Sequence, residues 1–133
     1  MYLFPGEKPL FVNRPGFFVV SSDFVYGGKN ADLVICKEPC KRDLRPLSCR
    51  IFPLVPYFRK QTGLQIIRDP RAFSICPLAA KAAYPYLNRA FIRKTESIFH
   101  LLIQFHAVRM FLEGLSDILD DYLQFAPKGE SWI

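Results

Sequence analysis

The sequence predicts an α+β protein: a small strand- and turn-rich N-terminal part around a cysteine cluster, then a long C-terminal helix and a shorter one. Three observations carry this reading. Short apolar runs separated by Pro and Gly fill the first eighty residues, whereas residues 88 to 113 contain neither Pro nor Gly. All four cysteines, Cys36, Cys40, Cys49 and Cys76, fall in the first of these two regions.

Taken in order, Tyr2-Leu3-Phe4 is stopped by Pro5-Gly6, and Phe17-Phe18-Val19-Val20 is set off by Pro15-Gly16. Gly27-Gly28 marks a turn. Leu33-Val34-Ile35 is a further apolar run, and it delivers Cys36 where Lys37-Glu38-Pro39 ends the strand. Pro46 and Pro53 bracket a short helix bearing Cys49, because proline in a first helical turn lacks only a donor that would be unpaired anyway. Val55 to Arg59 and Leu64 to Arg68 flank Gln61-Thr62-Gly63 as a hairpin with Gly63 supplying the turn, and Cys76-Pro77 follows after a loop from Asp69.

From Asn88, which reads as an N-cap, the pattern is helical as far as Gly114. Phe91, Thr95, Ile98, Leu102, Phe105 and Leu112 follow one seam, and Ile92, Phe99, Ile103 and Met110 follow a neighbouring one. Such a wide apolar surface implies a helix central to the core, or a homo-oligomer formed through the helix 88–113. A second helix, Ser116 to Gln124, is acidic on one side through Asp117, Asp120 and Asp121. We read one cysteine-cluster metal-binding domain over 1–133, with strands and ligand loops in 1–80 and a helical part in 81–133.

The chain has 133 residues, half of them apolar, which suits a packed core and excludes a disordered tail. Pro5, Glu7, Lys8, Pro9, Asn13, Arg14 and Pro15 interrupt any run of signal-peptide length, so the expected location is cytoplasmic. The most apolar stretch, Ile98 to Leu112, carries His100, Gln104, His106 and Arg109 and is too short and polar to span a bilayer, so no membrane partner is expected. In a reducing compartment clustered thiols serve metals or redox chemistry more often than structural disulfides.

The spacing Cys36-x3-Cys40-x8-Cys49-x26-Cys76 gives a close pair on a turn with further ligands from other elements, the arrangement a tetrahedral thiolate site needs. It lacks the paired knuckles of zinc ribbons and the tight run of bacterial ferredoxins, so zinc and iron both stay open, an iron–sulfur cluster included. Free cysteines can instead be small buried hydrophobes. The charge pattern argues against that here. Nine cations against three anions lie between Cys36 and Cys76, and the whole net charge of +6 resides there. Lys37, Lys41, Arg42 and Arg50 are poor neighbours for an apolar core but offset thiolate charge. Arg45 and Arg50 have forks suited to holding the backbone of the ligand loop.

The segment Arg45-Pro46-Leu47-Ser48-Cys49-Arg50-Ile51-Phe52-Pro53, with Cys36 and Cys40 before it and Cys76-Pro77 after it, resembles the YkgJ-type cysteine-cluster family. Its members are described as zinc- or iron-chelating proteins and in some cases as iron–sulfur oxidoreductases. The resemblance covers roughly Cys36 to Leu78, and Leu3-Phe4-Pro5-Gly6-Glu7 also looks like a segment of some members. By position it implies Cys36, Cys40, Cys49 and Cys76 as the chelating residues. Family members usually carry further cysteines near the N-terminus, including an adjacent Cys-Cys pair, and none stands here after Met1-Tyr2-Leu3. Either four ligands suffice in this branch, or others lie upstream of Met1.

No catalytic residue stands out. His100 and His106 are six apart and point to different faces of a helix, while Glu96 with His100 reads as a solvated i, i+4 pair. The leading expectation is a metal-binding protein, more in keeping with a non-enzyme. The alternatives are an iron–sulfur oxidoreductase and a zinc-stabilised nucleic-acid-binding module, the latter suggested by Phe52, Tyr57, Phe58 and Phe73 among the cations. Nucleic acid is the less favoured partner, because Phe52 and Phe58 serve equally well in a core.

Overall fold

The computed structural model describes residues 1–79 and 87–125. The start assigned to the helical part at 81, and everything beyond Phe125, lie outside the described residues. The chain divides into two compact units, Met1–Ile51 and Phe52–Ile133. Strands precede long helices, so the class is α+β, as the sequence predicts.

In the first unit a short helix α1 (Lys8–Phe11) precedes an antiparallel hairpin of β1 (Phe17–Tyr26) and β2 (Lys29–Cys36). Gly27 and Gly28 both adopt positive φ, 55° and 75°, the left-handed conformation that a two-residue hairpin turn requires. The register pairs Phe17 with Cys36 and Phe18 with Ile35, so alternate side chains meet across one face. Leu3, Phe11, Phe17 and Val34 form the buried core of this unit, with the Phe11 and Phe17 rings edge to face at 5.2 Å.

Strand β1 runs six residues beyond the expected Val20 stop. Its register shifts between Ser21 and Val25, and the disruption is satisfied internally: Ser22 Oγ donates to the Ala31 carbonyl at 2.6 Å, and Asn30 Nδ2 donates to the Ser22 carbonyl at 2.7 Å. A single 3-10 turn (Arg42–Leu44) then leads to α2 (Leu47–Ile51).

The second unit opens with a hairpin, β3 (Leu54–Arg59) and β4 (Gly63–Arg68), whose turn places Gly63 at φ +80°. Two 3-10 turns, Pro70–Ala72 and Pro77–Ala79, flank Cys76. Helices α3 (Arg89–Leu102) and α4 (His106–Leu123) pack against the hairpin. Asn88 caps α3, its Oδ1 accepting from the Ala90 and Phe91 amides. On α4 the buried residues Val108, Phe111, Leu112, Leu115, Ser116 and Leu119 repeat at helical spacing along one stripe.

The continuous helix expected over 88–113 is therefore two helices, broken at residues 103–105 and not at Gly114, which lies inside α4. The break is held by a side chain: Arg109 Nη1 donates to the carbonyls of Ile103 at 2.9 Å and Gln104 at 3.1 Å, satisfying acceptors at the end of α3. A helix–strand bond adds to the packing, since the buried Ser116 Oγ accepts the Phe58 amide at 2.9 Å. No described helix is long and apolar enough to cross a membrane.

Candidate metal centre

Three separate pieces of the first unit carry a thiol each. Cys36 is the last residue of β2, where the Lys37 amide donates to the Gly16 carbonyl at 2.9 Å and fixes the strand end. Cys40 follows in a stretch without regular secondary structure, and its side chain packs against the Leu3, Phe11, Phe17 and Val34 core. Cys49 sits in the middle of α2, with its amide bonded to the Pro46 carbonyl at 3.0 Å. All four cysteines are free thiols; Cys36 is exposed and the other three are half-buried.

Helix α2 is short, so its position depends on side chains from elsewhere in the unit. Glu7 Oε1 accepts the Phe4 amide at 2.8 Å while its Oε2 accepts the Leu47 amide at 3.0 Å. Ser48 Oγ donates to the Tyr2 carbonyl at 2.7 Å. One carboxylate and one hydroxyl thus tie the first residues of the chain to the helix that bears Cys49. Neither residue stood out in the sequence as part of a site. Their only signal was their place in the Leu3-to-Glu7 and Arg45-to-Pro53 segments.

The two arginines act on the backbone of the loop between Cys40 and Cys49. Arg45 Nη2 donates to the Cys40 carbonyl at 3.5 Å, Arg50 Nε donates to the Arg45 carbonyl at 3.1 Å, and Arg50 Nη2 donates to the Asp43 carbonyl. Forks used in this way hold a loop in shape and leave the guanidinium charge un-neutralised.

The thiols sense one another. Partial burial pushes the Cys36 thiol up from its ordinary value; the Cys40 charge and a hydrogen bond with Cys40 push it further, and the Met1 ammonium and Arg45 pull it back. Burial likewise raises the Cys49 thiol, opposed by the Met1 ammonium, reinforced by Cys36 and Cys40, and opposed again by Arg45. Two cations act on both thiols, the Met1 ammonium first and then Arg45, which the sequence had marked for the loop backbone and not for charge compensation. Lys37, expected to offset thiolates, stands with its ammonium 3.5 Å from the centre of the Phe18 ring.

Cys76 belongs to the second unit. Its amide donates to the Ala72 carbonyl at 2.8 Å and its carbonyl accepts from Ala79 at 3.0 Å, so the residue is fixed between two 3-10 turns. Among the described residues, no group of three or more His, Cys, Asp or Glu side chains stands at a spacing that would hold a metal ion as it is. Glu96, His100 and His106 are exposed on α3 and α4. The thiols of Cys36, Cys40 and Cys49 act on one another electrostatically within the first unit.

The basic residues on and just after the hairpin of the second unit are engaged within it. Arg59 pairs with Asp117 at 2.7 Å and with Asp120, Arg71 pairs with Asp69 at 2.7 Å, and Lys60 approaches Glu113 at 3.9 Å. Arg68 is 1 % exposed and donates to the Ala79 carbonyl at 3.0 Å. Comparison of the chain with protein-family models, with curated proteins and with solved structures finds no significant match.

Proposed function

We propose that this chain is a metal-binding protein that chelates zinc or iron through Cys36, Cys40, Cys49 and Cys76. The observation that carries the reading is that the thiols of Cys36, Cys40 and Cys49, drawn from separated segments of the first unit, lie within electrostatic reach of one another. Thiolate charges so placed repel one another, so each neighbour favours the protonated thiol. A divalent ion reverses that cost by taking the protons' place.

The resemblance to the YkgJ-type family over Cys36 to Leu78 supports the same donor set. Arg45 and Arg50 are positioning residues in this reading, and the protein works in a reducing, cytoplasmic setting where the thiols stay available. The self-association expected over 88–113 joins the proposal: exposed Leu101 and Phe105 are the side chains it would cover, and light scattering on the purified protein tests it. The nucleic-acid alternative loses ground, because Arg59, Arg68 and Arg71, which it needs as a free phosphate-facing stripe, are bonded within their own unit.

The test is elemental analysis of protein purified without air, together with its visible spectrum. About one zinc per chain in a colourless protein is the expected result for a closed thiolate site. Iron with visible absorption that bleaches on reduction assigns the iron–sulfur alternative. Metal-free protein whose thiols are all still reduced would overturn the proposal.

A further inference from the structure

A cleft of about 240 Å³ opens on the first unit, and none of the four cysteines lines it. That volume is below the range of drug-sized pockets and suits a small molecule. Arg14, Arg45 and Arg50 all border it. Among the described residues the ion pairs use Lys8, Arg59, Lys60 and Arg71, and none of these three. Their donors go to main-chain carbonyls instead: Arg14 Nη1 to Leu44 at 3.2 Å, Arg45 to Cys40, and Arg50 to Arg45 and Asp43. Each guanidinium has five N–H groups, so these bonds orient the forks and leave most donors for a ligand.

The acidic side of the cleft does not cancel this charge. Glu7 and Asp43 set two carboxylates against three guanidinium groups, which leaves the lining one net positive charge, and both Glu7 oxygens are already committed to the Phe4 and Leu47 amides. The apolar lining is exposed Leu10 with half-buried Leu47, while the Phe11 ring lies buried beneath the Arg14 guanidinium, 4.8 Å from it. Three planar forks select oxyanions with two or more oxygens on one centre, where lysines would offer only point charges. We propose that this cleft binds a small organic anion, a carboxylate or a phosphate monoester, held by Arg14, Arg45 and Arg50 with its carbon chain against Leu10 and Leu47. The proposal does not depend on the metal reading, since no thiol takes part.

The experiment follows the arginine side-chain N–H resonances of the full chain by NMR at constant ionic strength. The chain is titrated in turn with butyrate, glycerol phosphate, inorganic phosphate and chloride. Saturable shifts at Arg14, Arg45 and Arg50 with a midpoint of about 10 mM or tighter are expected for one of the two organic anions, and which one saturates identifies the headgroup. Arg14→Gln should weaken that binding about tenfold, and Arg14→Lys, which keeps the charge and loses the fork, should also weaken it. Arg93→Gln, an exposed change on α3, should leave it unaltered. Shifts that rise linearly, that chloride reproduces, or that persist equally in Arg14→Lys overturn the site. Inorganic phosphate binding as tightly as glycerol phosphate overturns the role of the apolar lining.

Discussion

Arg50 holds the main-chain carbonyl of Arg45: its Nε donates at 3.1 Å across five residues, so the loop from Cys40 to Cys49 is held by the side chain of the residue that follows it. The same guanidinium reaches the Asp43 carbonyl, and a planar fork makes both bonds at once where an ammonium cannot. Arg50→Lys should therefore cost about 1 kcal/mol of stability. If the loop carries metal ligands, it should also weaken metal retention by about tenfold, the usual effect of losing a residue that orients a ligand. Competition with a chelator reads the second effect. Retention equal to wild type would remove Arg50 from the site.

Cys49→Ser should lower metal content and thermal stability together, because ligands drawn from separated segments couple metal binding to folding. Cys76→Ser probes the fourth thiolate in the same way, from the other unit. If Cys49→Ser reduces metal content while Cys76→Ser does not, the site is confined to Cys36, Cys40 and Cys49. Wild type that melts at one temperature with and without a strong chelator would argue against any structural metal.

The thiol shifts fix the sign of a pH effect. With Cys36 and Cys49 raised, the metal-free folded state keeps protons that the unfolded chain has released. Its stability is full below the ordinary thiol value of about 8.5 and falls as pH rises through the folded values. Metal binding has the opposite sign, since the ion must displace those protons and retention weakens as pH falls. Urea midpoints of reduced, chelator-treated protein at about pH 7 and about pH 9.5 test the first half, and Cys49→Ser should flatten the difference. A metal-free midpoint that rises with pH would contradict the account.

Turn chemistry made the β3–β4 hairpin and the Gly27-Gly28 turn legible in the sequence. Gly27, Gly28 and Gly63 stand where positive φ is needed, and no neighbouring residue competes for those roles. The helix break at 103–105 carried no such mark, because it rests on Arg109 reaching back to two carbonyls and not on Pro or Gly. Gly114 misled for the converse reason: the buried stripe of Phe111, Leu112, Leu115 and Leu119 runs through it, and packing outweighs the weak helix propensity of one glycine. The cysteines could be read as candidates, and Cys36 and Cys49 fall on the expected strand end and short helix. What spacing could not supply was the support beneath them. The pull of the Met1 ammonium and Arg45 on both thiols, and Glu7 as the clamp on α2, depend on contacts across long stretches of chain.

Glu7 allows that hidden support to be tested without touching a ligand. Its carboxylate accepts from Phe4 and from Leu47, forty residues on, so one side chain links the N-terminal segment to the start of α2. In Glu7→Gln the amide keeps one acceptor oxygen but turns an NH₂ group toward the second main-chain N–H, replacing a charge-assisted bond with two opposed donors. The expected cost is about 2 kcal/mol, read as a lower urea midpoint with an unchanged slope. Because α2 carries Cys49, metal retention should fall as well, although Glu7 contributes no ligand. Glu96→Gln, on the exposed face of α3, is the control for loss of one surface carboxylate and should stay within about 0.5 kcal/mol of wild type. A Glu7→Gln protein indistinguishable from that control would mean that α2 holds its place by packing alone.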